Sequence, residues 1–296
     1  MRVPAVALAL LSFVTVTSAA GPGGNPDVPI TTFRIEAAEV HVAFSAYDRK
    51  KRPVAEVSAA DFQLLRDGRP IDPAPEVERR HESPIAATVM TDVSESMAKA
   101  VPMARESWKW MDANLLRGQD EVSYFDFGEE LTADQSQKQK GNLTSFYDCL
   151  LELIPQIADR QEGRKVLILF TDGQDNYSLH SLRDVTDLAL RRDVAVYAIT
   201  TWKYKIVYNE SVLDQLTQST GGRFFVVKDQ KEMNAALNQI VDEQRNGYEV
   251  IFRADKARGG MHRIAMESTD GRLRFYHRVA YYQDQRAAEA VLVAGR

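Results

Sequence analysis

The stretch Ile85–Met97, IAATVMTDVSESM, decides the fold class of this chain of 296 residues. Its first seven residues form a largely apolar run, which is typical of a strand buried on both faces of a parallel sheet. Three small oxygen-bearing side chains then follow at alternate positions, Asp92, Ser94 and Ser96. Such a group at the end of a buried strand is consistent with a helix cap, a nucleophile or part of a metal site.

Further apolar segments of strand length continue this pattern towards the carboxyl terminus. They are DEVSYFDF (120–127), KVLILFTD (165–172), DVAVYAIT (193–200) and RFFVV (223–227). Segments with helical spacing lie between and after them, over about 98–116, 145–158, 179–192, 211–220 and 229–247. Because strands alternate with helices, the sequence predicts an α/β fold of parallel βαβ units with right-handed crossovers.

Both flanks of this α/β segment, which spans 83–246, alternate with a period of two residues. The regions 33–80 and 247–283 therefore each predict several β-strands. We expect them to pair into one discontinuous β-sandwich that holds the α/β domain as an insertion. Two separate small β units are the alternative, which is less favoured because three strands alone bury little apolar surface. Residues 21–32 indicate a flexible leader and residues 284–296 a tail.

Residues 1–20 have the features of a signal peptide. An apolar run from Val3 to Val16 is followed by small residues, with a suitable cleavage site near Ala19 or Ala20. The run is shorter than the roughly 18–20 apolar residues that a membrane span needs. We therefore expect a secreted or periplasmic protein. The alternative is an uncleaved anchor, the only case in which we expect membrane association.

Composition excludes some classes of function. The net charge of −5 and the isoelectric point near 5.7 argue against a nucleic-acid-binding protein. Cys149 is the only cysteine, so no intrachain disulfide can form. It lies on the apolar face of a predicted helix, which favours a buried hydrophobic residue over a reactive thiol.

Polar oxygen atoms lie at the ends of three predicted elements of the α/β segment. Asp92, Ser94 and Ser96 follow the first strand, Thr144 precedes a helix, and Asp172 ends the KVLILF strand. Each alone fits an ordinary cap or turn. Because ligands of open parallel sheets lie at the carboxyl ends of the strands, the five together predict a metal site. Two carboxylates and three hydroxyls suit Mg²⁺, with Mn²⁺ or Ca²⁺ as alternatives, and not zinc.

Catalytic arrangements are not supported by the sequence. A phosphatase of the haloacid type would need a second aspartate two residues after Asp92, where Ser94 stands. A serine hydrolase needs a histidine base, and His180, at the start of a predicted helix, is expected to be exposed. No glycine-rich phosphate loop occurs, and no small-molecule cofactor is indicated. We expect no enzyme activity.

The segments TDVSESM, LTSFYDCL and ILFTDGQDN together resemble a von Willebrand factor type A domain with a metal-ion-dependent adhesion site. The resemblance implies a doubly wound, Rossmann-like sheet. It also implies that Ser94, Ser96 and Thr144 meet the metal directly or through water. Asp92 and Asp172 would act mainly through hydrogen-bonded waters.

The resemblance covers about 83–246, and it extends more weakly to the flanks. The segments VSAADFQLLRDGRPI and YEVIFRA are similar to those of secreted VWFA-related proteins of acidobacteria, which implies a bacterial protein. The chain departs from the family pattern in three places. Glu95 replaces the glycine between the serines, NLT replaces GGT before the threonine, and the stretch 127–141 is short.

The resemblance predicts an adhesion or assembly module that binds another protein. An acidic residue of the partner would complete the metal site. A metal-dependent hydrolase and a scaffold with a purely structural metal are the alternatives. The loop after the 193–200 strand should lie on the same rim as the metal. The candidates for partner contact are Glu95, Gln174, Asp175, Trp202, Lys203 and Tyr204.

Overall fold

The computed structural model describes residues 37–80, 84–133, 143–159, 164–203, 207–255 and 259–283. The predicted signal peptide and leader, the predicted tail and Tyr204 lie outside these residues. In chain order the described strands are β1 Ala37–Tyr47, β2 Phe62–Arg66, β3 Arg69–Pro70, β4 Glu76–Arg79, β5 Ile85–Asp92, β6 Glu121–Phe127, β7 Leu131–Thr132, β8 Arg164–Phe170, β9 Ala195–Thr201, β10 Phe224–Val227, β11 Tyr248–Asp255, β12 Gly260–Ser268, β13 Arg274–His277 and β14 Ala280–Gln283. The described helices are α1 Val101–Asn114, α2 Phe146–Ala158, α3 Leu182–Arg192, α4 Glu210–Thr220 and α5 Gln230–Asn246.

A six-stranded sheet forms the centre of the α/β segment, in the order β10-β9-β8-β5-β6-β7. Its pairs are parallel except for β6 with β7. All eight residues of β5 are buried. The apolar run that begins the stretch 85–97 is therefore the central strand, as a sheet covered on both faces requires.

Helices cover both faces of this sheet, which is therefore doubly wound. Successive residues of a strand point to opposite faces. Val89 and Ile168 accordingly share a core with α1 and α5, whereas Met90 and Leu167 share another with α2, α3 and α4. The α/β, doubly wound prediction is confirmed.

A pair of glycines ends α4, where the sequence predicted a stop. Gly221 closes the helix in the left-handed conformation, with φ of 86°. Gly222 is needed for a different reason, because a Cβ there would lie 2.0 Å from the carbonyl oxygen of Val196. The pair therefore ends α4 and brings the chain close beside β9.

Strands from before and after the α/β segment form two further sheets. One has the order β13-β1-β11-β4 and the other β14-β12-β2-β3. Their apolar faces share one core, in which the rings of Phe44 on β1 and Phe62 on β2 meet edge to face at 5.7 Å. β4 and β11 pair antiparallel with Arg79 opposite Tyr248. The chain therefore leaves this sandwich and returns to it at neighbouring points.

The segment LRFYHRVAYY, which alternates like one strand, is divided between the two sheets. β13 pairs with β1, and β14 pairs with β12. Between them, the Val279 N–H donates to Ser219 O of α4 at 3.0 Å. The chain passes from one sheet to the other at this bond to the α/β segment.

A buried carboxylate joins the sandwich to the α/β segment. Glu243 of α5 accepts hydrogen bonds from Tyr47 of β1, from Tyr197 of β9 at 3.1 Å and from Arg223 at 2.7 Å. Burial and the negative charge of Glu243 raise the pKa values of both tyrosine hydroxyls above their usual range. Within the described ranges, no helix is long and apolar enough to cross a membrane.

Candidate metal site

The carboxyl edge of the central sheet holds the oxygen-bearing residues predicted from the sequence. Asp92 is the last residue of β5, and Asp172 lies two residues beyond β8. Since β5 and β8 are neighbours with Thr91 opposite Phe170, the two aspartates leave the sheet side by side. Both are buried.

The carboxylate of Asp92 is held by its own loop and by the adjacent strand end. Its Oδ1 accepts a hydrogen bond from the backbone N–H of Ser94 at 3.0 Å. Its Oδ2 accepts one from Thr171 Oγ1 at 2.7 Å. Thr171 also accepts from the Gly173 N–H at 3.0 Å, so it ties the two loops together.

Two serine hydroxyls connect the first loop to Asp172. Ser94 Oγ and Ser96 Oγ lie 3.1 Å apart, and Ser96 Oγ donates to Asp172 Oδ2 at 2.6 Å. Asp172 Oδ1 accepts from the Gln174 N–H at 3.0 Å. Four of the five predicted ligands are therefore brought together, in a chain of contacts that runs from one aspartate to the other.

The electrostatics of this group call for a cation. Burial raises the pKa of Asp92 to about 7, and the neighbouring charge of Asp172 contributes to the increase. Within the described residues, the hydrogen-bond donors to both carboxylates are hydroxyls and backbone N–H groups, with no lysine or arginine. Two adjacent carboxylates and two hydroxyls without a protein cation fit a hard divalent metal ion.

Thr144 is positioned through the loop that follows Asp172. It is buried just before α2, and its N–H donates to Asn176 Oδ1 at 2.8 Å. Its carbonyl accepts from the N–H groups of Asn176 and Tyr177 at 3.1 and 3.2 Å. Within the described residues, its hydroxyl makes no hydrogen bond to the other four predicted ligands.

The remaining predicted rim residues differ in their surroundings. Glu95 is exposed. Asp175 instead organises the loop, because its carboxylate accepts from the Tyr147 N–H at 3.3 Å and from Ser178. Gln174 Nε2 donates to Val207 O at 3.3 Å.

The loop after β9 carries exposed side chains on the same edge. Trp202 is 59% exposed, and Lys203 is exposed beside it with its N–H bonded to Thr201 Oγ1 at 3.1 Å. Sequence reasoning did not single out Leu179, which is 92% exposed, or Val207. For Leu179, an apolar residue within a largely polar loop was the available signal.

Thr171 and Asn176 were also not predicted as part of the site. They hold Asp92 and Thr144, respectively. Both belong to the same short segment as Asp172, where polar side chains directly follow the apolar run VLILF of β8. Within the described residues there is no group of three or more histidine, cysteine, aspartate or glutamate side chains suited to a metal. The candidate site thus depends on hydroxyls as well as carboxylates.

Comparison with known protein families agrees with this geometry. The sequence model of the von Willebrand factor type A domain matches residues 129–243. This matched part of the chain is similar to a von Willebrand factor type A domain. The match includes Thr144 and Asp172, whereas Asp92, Ser94 and Ser96 precede it. β5, which lies before the matched residues, belongs to the same sheet as β8, β9 and β10, which lie within them.

Solved structures of low sequence identity are similar to the chain. Proximal thread matrix protein 1 from the mussel byssus is 14% identical, with 56% of this chain and 49% of that chain covered and a TM-score of 0.46. One structure of that mussel protein has a zinc-occupied MIDAS motif. The von Willebrand factor type A protein of Catenulispora acidiphila is 12% identical, with coverages of 85% and 76% and a TM-score of 0.48.

BatB from Bacteroides thetaiotaomicron is likewise 12% identical, with 54% of this chain and 98% of that chain covered and a TM-score of 0.43. The present chain spans about half the length of the mussel protein. A comparison with curated protein sequences finds no match.

Proposed function

We propose that the α/β segment acts as a von Willebrand factor type A domain and binds another protein through a divalent cation. Asp92, Ser94, Ser96, Thr144 and Asp172 would hold the ion. The observation that carries the proposal is the pair of buried carboxylates, Asp92 and Asp172, connected through serine hydroxyls without a protein cation.

The ion would supply positive charge at the rim and a position for one more oxygen ligand. Five protein side chains leave at least one position open on an ion with six ligands, and a ligand from outside would fill it. A carboxylate of the partner, from an aspartate or glutamate, has the required hardness and charge. Trp202 and Leu179 are exposed apolar residues of the surrounding loops and would add contact area, as aromatic and apolar anchors commonly do.

The role of the site would be binding and not catalysis. Within the described residues, the hydrogen bonds of the four connected side chains involve no histidine or lysine, and both carboxylates would be taken up by the ion. A hydrolase would need a further group for proton transfer. We also propose that the protein acts outside the cytoplasm, on the basis of the apolar run and small residues at 1–20.

The first test uses the metal alone. At about ten times its dissociation constant, Mg²⁺ should raise the Tm of the wild-type chain by about 3–6 °C. Mn²⁺, Ca²⁺ and Zn²⁺ are compared in the same assay. Thr144→Ala should reduce the increase. Thr186→Ala is the matched control, because Thr186 lies on α3 and bonds only within that helix among the described residues. If no divalent ion changes the Tm, the metal site is disproved.

The second test addresses the partner. Wild-type chain and Thr144→Ala are used to capture proteins from the secreted fraction of the native cells, with Mg²⁺ or with a chelator. We expect a protein that is retained only by the wild-type chain and only with metal. Substitution of that protein's contacting acidic residue by its amide should abolish retention. Equal retention with chelator would contradict metal-dependent binding.

A further inference from the structure

The junction between the sandwich and the α/β segment contains a cavity of about 200 Å³, which is separate from the metal site. Its walls include Arg80, just after β4, and Arg164, the first residue of β8. In a parallel sheet the start of β8 lies at the edge opposite the carboxyl ends. The cavity and the candidate metal site are therefore at opposite edges of the same sheet.

Arg164 is a buried cation with unsatisfied hydrogen-bonding capacity. The residue is 9% exposed, and its Nη1 has no hydrogen-bond partner. Native proteins pair nearly all buried polar atoms, and an unpaired charged donor is more costly than a neutral one. Burial, with a contribution from the positive charge of Arg80, lowers the pKa of Arg164 to about 10.

Arg80 adds a second cation to the same cavity. Its Nη1 lies 3.5 Å from Gln244 Oε1, a long contact with a neutral group. Burial lowers its pKa as well. Among the described residues, neither arginine forms an ion pair, so two guanidinium groups of like charge share the cavity without a direct anionic partner.

The acidic residues of the cavity wall have other partners. Asp193 Oδ1 bonds to Arg278 at 2.6 Å, and Glu249 Oε2 lies 3.1 Å from His41. Glu243 is occupied by Arg223 and the two tyrosines already described. Within the described residues, none of these carboxylates forms an ion pair with Arg80 or Arg164, and the charges of Glu249 and Asp193 act on Arg80 only from a distance.

We propose that this cavity binds a small oxyanion, such as phosphate, sulfate or a low-molecular-weight carboxylate, between Arg80 and Arg164. Guanidinium groups match the geometry of these anions and form paired, charge-assisted hydrogen bonds with them. An anion would also remove the repulsion between the two arginines. Because the cavity wall includes β1, β8 and α5, the anion would stabilise the junction between sandwich and α/β segment.

The test measures the Tm and the heat of binding with phosphate, sulfate and acetate, each replacing chloride at constant ionic strength. At about five times its dissociation constant, the preferred anion should raise the Tm of the wild-type chain by about 2–4 °C. The ranking of phosphate, sulfate and acetate distinguishes a tetrahedral oxyanion from a carboxylate.

Variants show whether the effect belongs to this cavity. Arg164→Met keeps the side-chain length and removes the charge, so it should abolish both the heat and the Tm increase. Arg80→Gln provides the same test if Arg164→Met fails to fold. Arg183→Met, at an exposed position on α3, is the control and should retain the full response. Asp92→Asn should also retain it, which separates this result from the metal site.

The proposal is overturned if no anion gives a heat of binding. It is overturned equally if the anion raises the Tm of Arg164→Met and Arg80→Gln as much as that of wild type. That second result would indicate a general salt effect on stability.

Discussion

Asp92 combines complete burial with a negatively charged neighbour, and its substitution has two expected effects. Asp92→Asn keeps an oxygen that can accept from the Ser94 N–H, and it removes the negative charge that repels the charge of Asp172. Without metal at about pH 8, where an Asp92 with a pKa near 7 is mostly ionised, the variant should therefore melt at a higher temperature than wild type. With Mg²⁺ the order should reverse, because only wild type binds the ion.

Differential scanning calorimetry with and without Mg²⁺ measures both effects. Asp187→Asn is the matched control, since Asp187 lies half-exposed on α3 away from the site. It should change neither melting temperature by more than the error of measurement. A lower metal-free Tm for Asp92→Asn would show that the Asp92 charge is stabilised by groups other than a bound ion.

The raised pKa of Asp92 also predicts how stability and metal binding depend on pH. In the unfolded chain the carboxyl loses its proton near the ordinary aspartate pKa of 3.8, whereas in the folded chain it keeps the proton until about pH 7. The folded state thus binds more protons between these values. The free energy of unfolding of the metal-free chain should fall as the pH rises through this interval.

Mg²⁺ competes with that proton. Its affinity should fall below about pH 7, by up to about tenfold for each pH unit. Isothermal titration calorimetry between about pH 6 and about pH 8 measures this dependence, with proton release at the lower pH. An affinity that does not change over this range would contradict a protonated Asp92 in the metal-free site.

At the scale of single elements, the connection from α4 to β10 is the most sensitive to substitution. A Cβ on Gly222 would lie 2.0 Å from Val196 O, and a backbone atom cannot move aside as a flexible side chain can. We expect Gly222→Ala to destabilise the chain by about 2–4 kcal/mol. Chemical denaturation followed by circular dichroism measures the change.

Gly68→Ala is the matched control for this substitution. Gly68 has a positive φ of 76° but no heavy atom within 4 Å of an added Cβ. Its substitution costs only the backbone strain of about 1–2 kcal/mol. Equal losses for the two variants would mean that the contact with Val196 is relieved by movement of the chain.

The elements that were predicted best from the sequence are those that are buried along nearly their whole length. β5 and β8 lie inside a sheet covered on both faces, so each contains a continuous, largely apolar run that is visible without knowledge of the partner strands. β13 and β14 could not be separated in advance. Their division lies at the bond between Val279 and Ser219, which joins segments far apart in the chain.

The same distinction applies to the candidate site. Asp92, Ser94, Ser96 and Asp172 follow two strands that the apolar runs identify, so their proximity could be expected from the fold class. The roles of Thr171 and Asn176 could not, because a hydrogen bond between two loops depends on their conformations. No sequence pattern pointed to the arginine cavity, since its walls come from both sides of the domain insertion.

For the whole molecule, Glu243 is the connection that most affects stability. Its carboxylate accepts hydrogen bonds from residues of β1, β9 and the turn before β10. Glu243→Ala would leave the partly buried Arg223 guanidinium and two tyrosine hydroxyls without this acceptor. We expect a loss of about 3–5 kcal/mol in the free energy of unfolding.

Glu232→Ala on the same helix is the control, because Glu232 pairs with Lys228 at the surface. Exposed pairs of this kind contribute little to stability. Urea denaturation of both variants gives the comparison. If Glu243→Ala lowers the free energy of unfolding no more than Glu232→Ala does, the sandwich and the α/β segment do not depend on this carboxylate for their association.

Arg79 at the end of β4 pairs with Tyr248 at the start of β11. The α/β segment therefore connects two adjacent antiparallel strands, as the turn of a hairpin does. In an unfolded chain, closing a loop of that size has a large entropic cost. Once the α/β segment is folded, its two ends are already neighbours and most of that cost has been met. The insertion is therefore expected to fold first and to act as the template on which the sandwich closes.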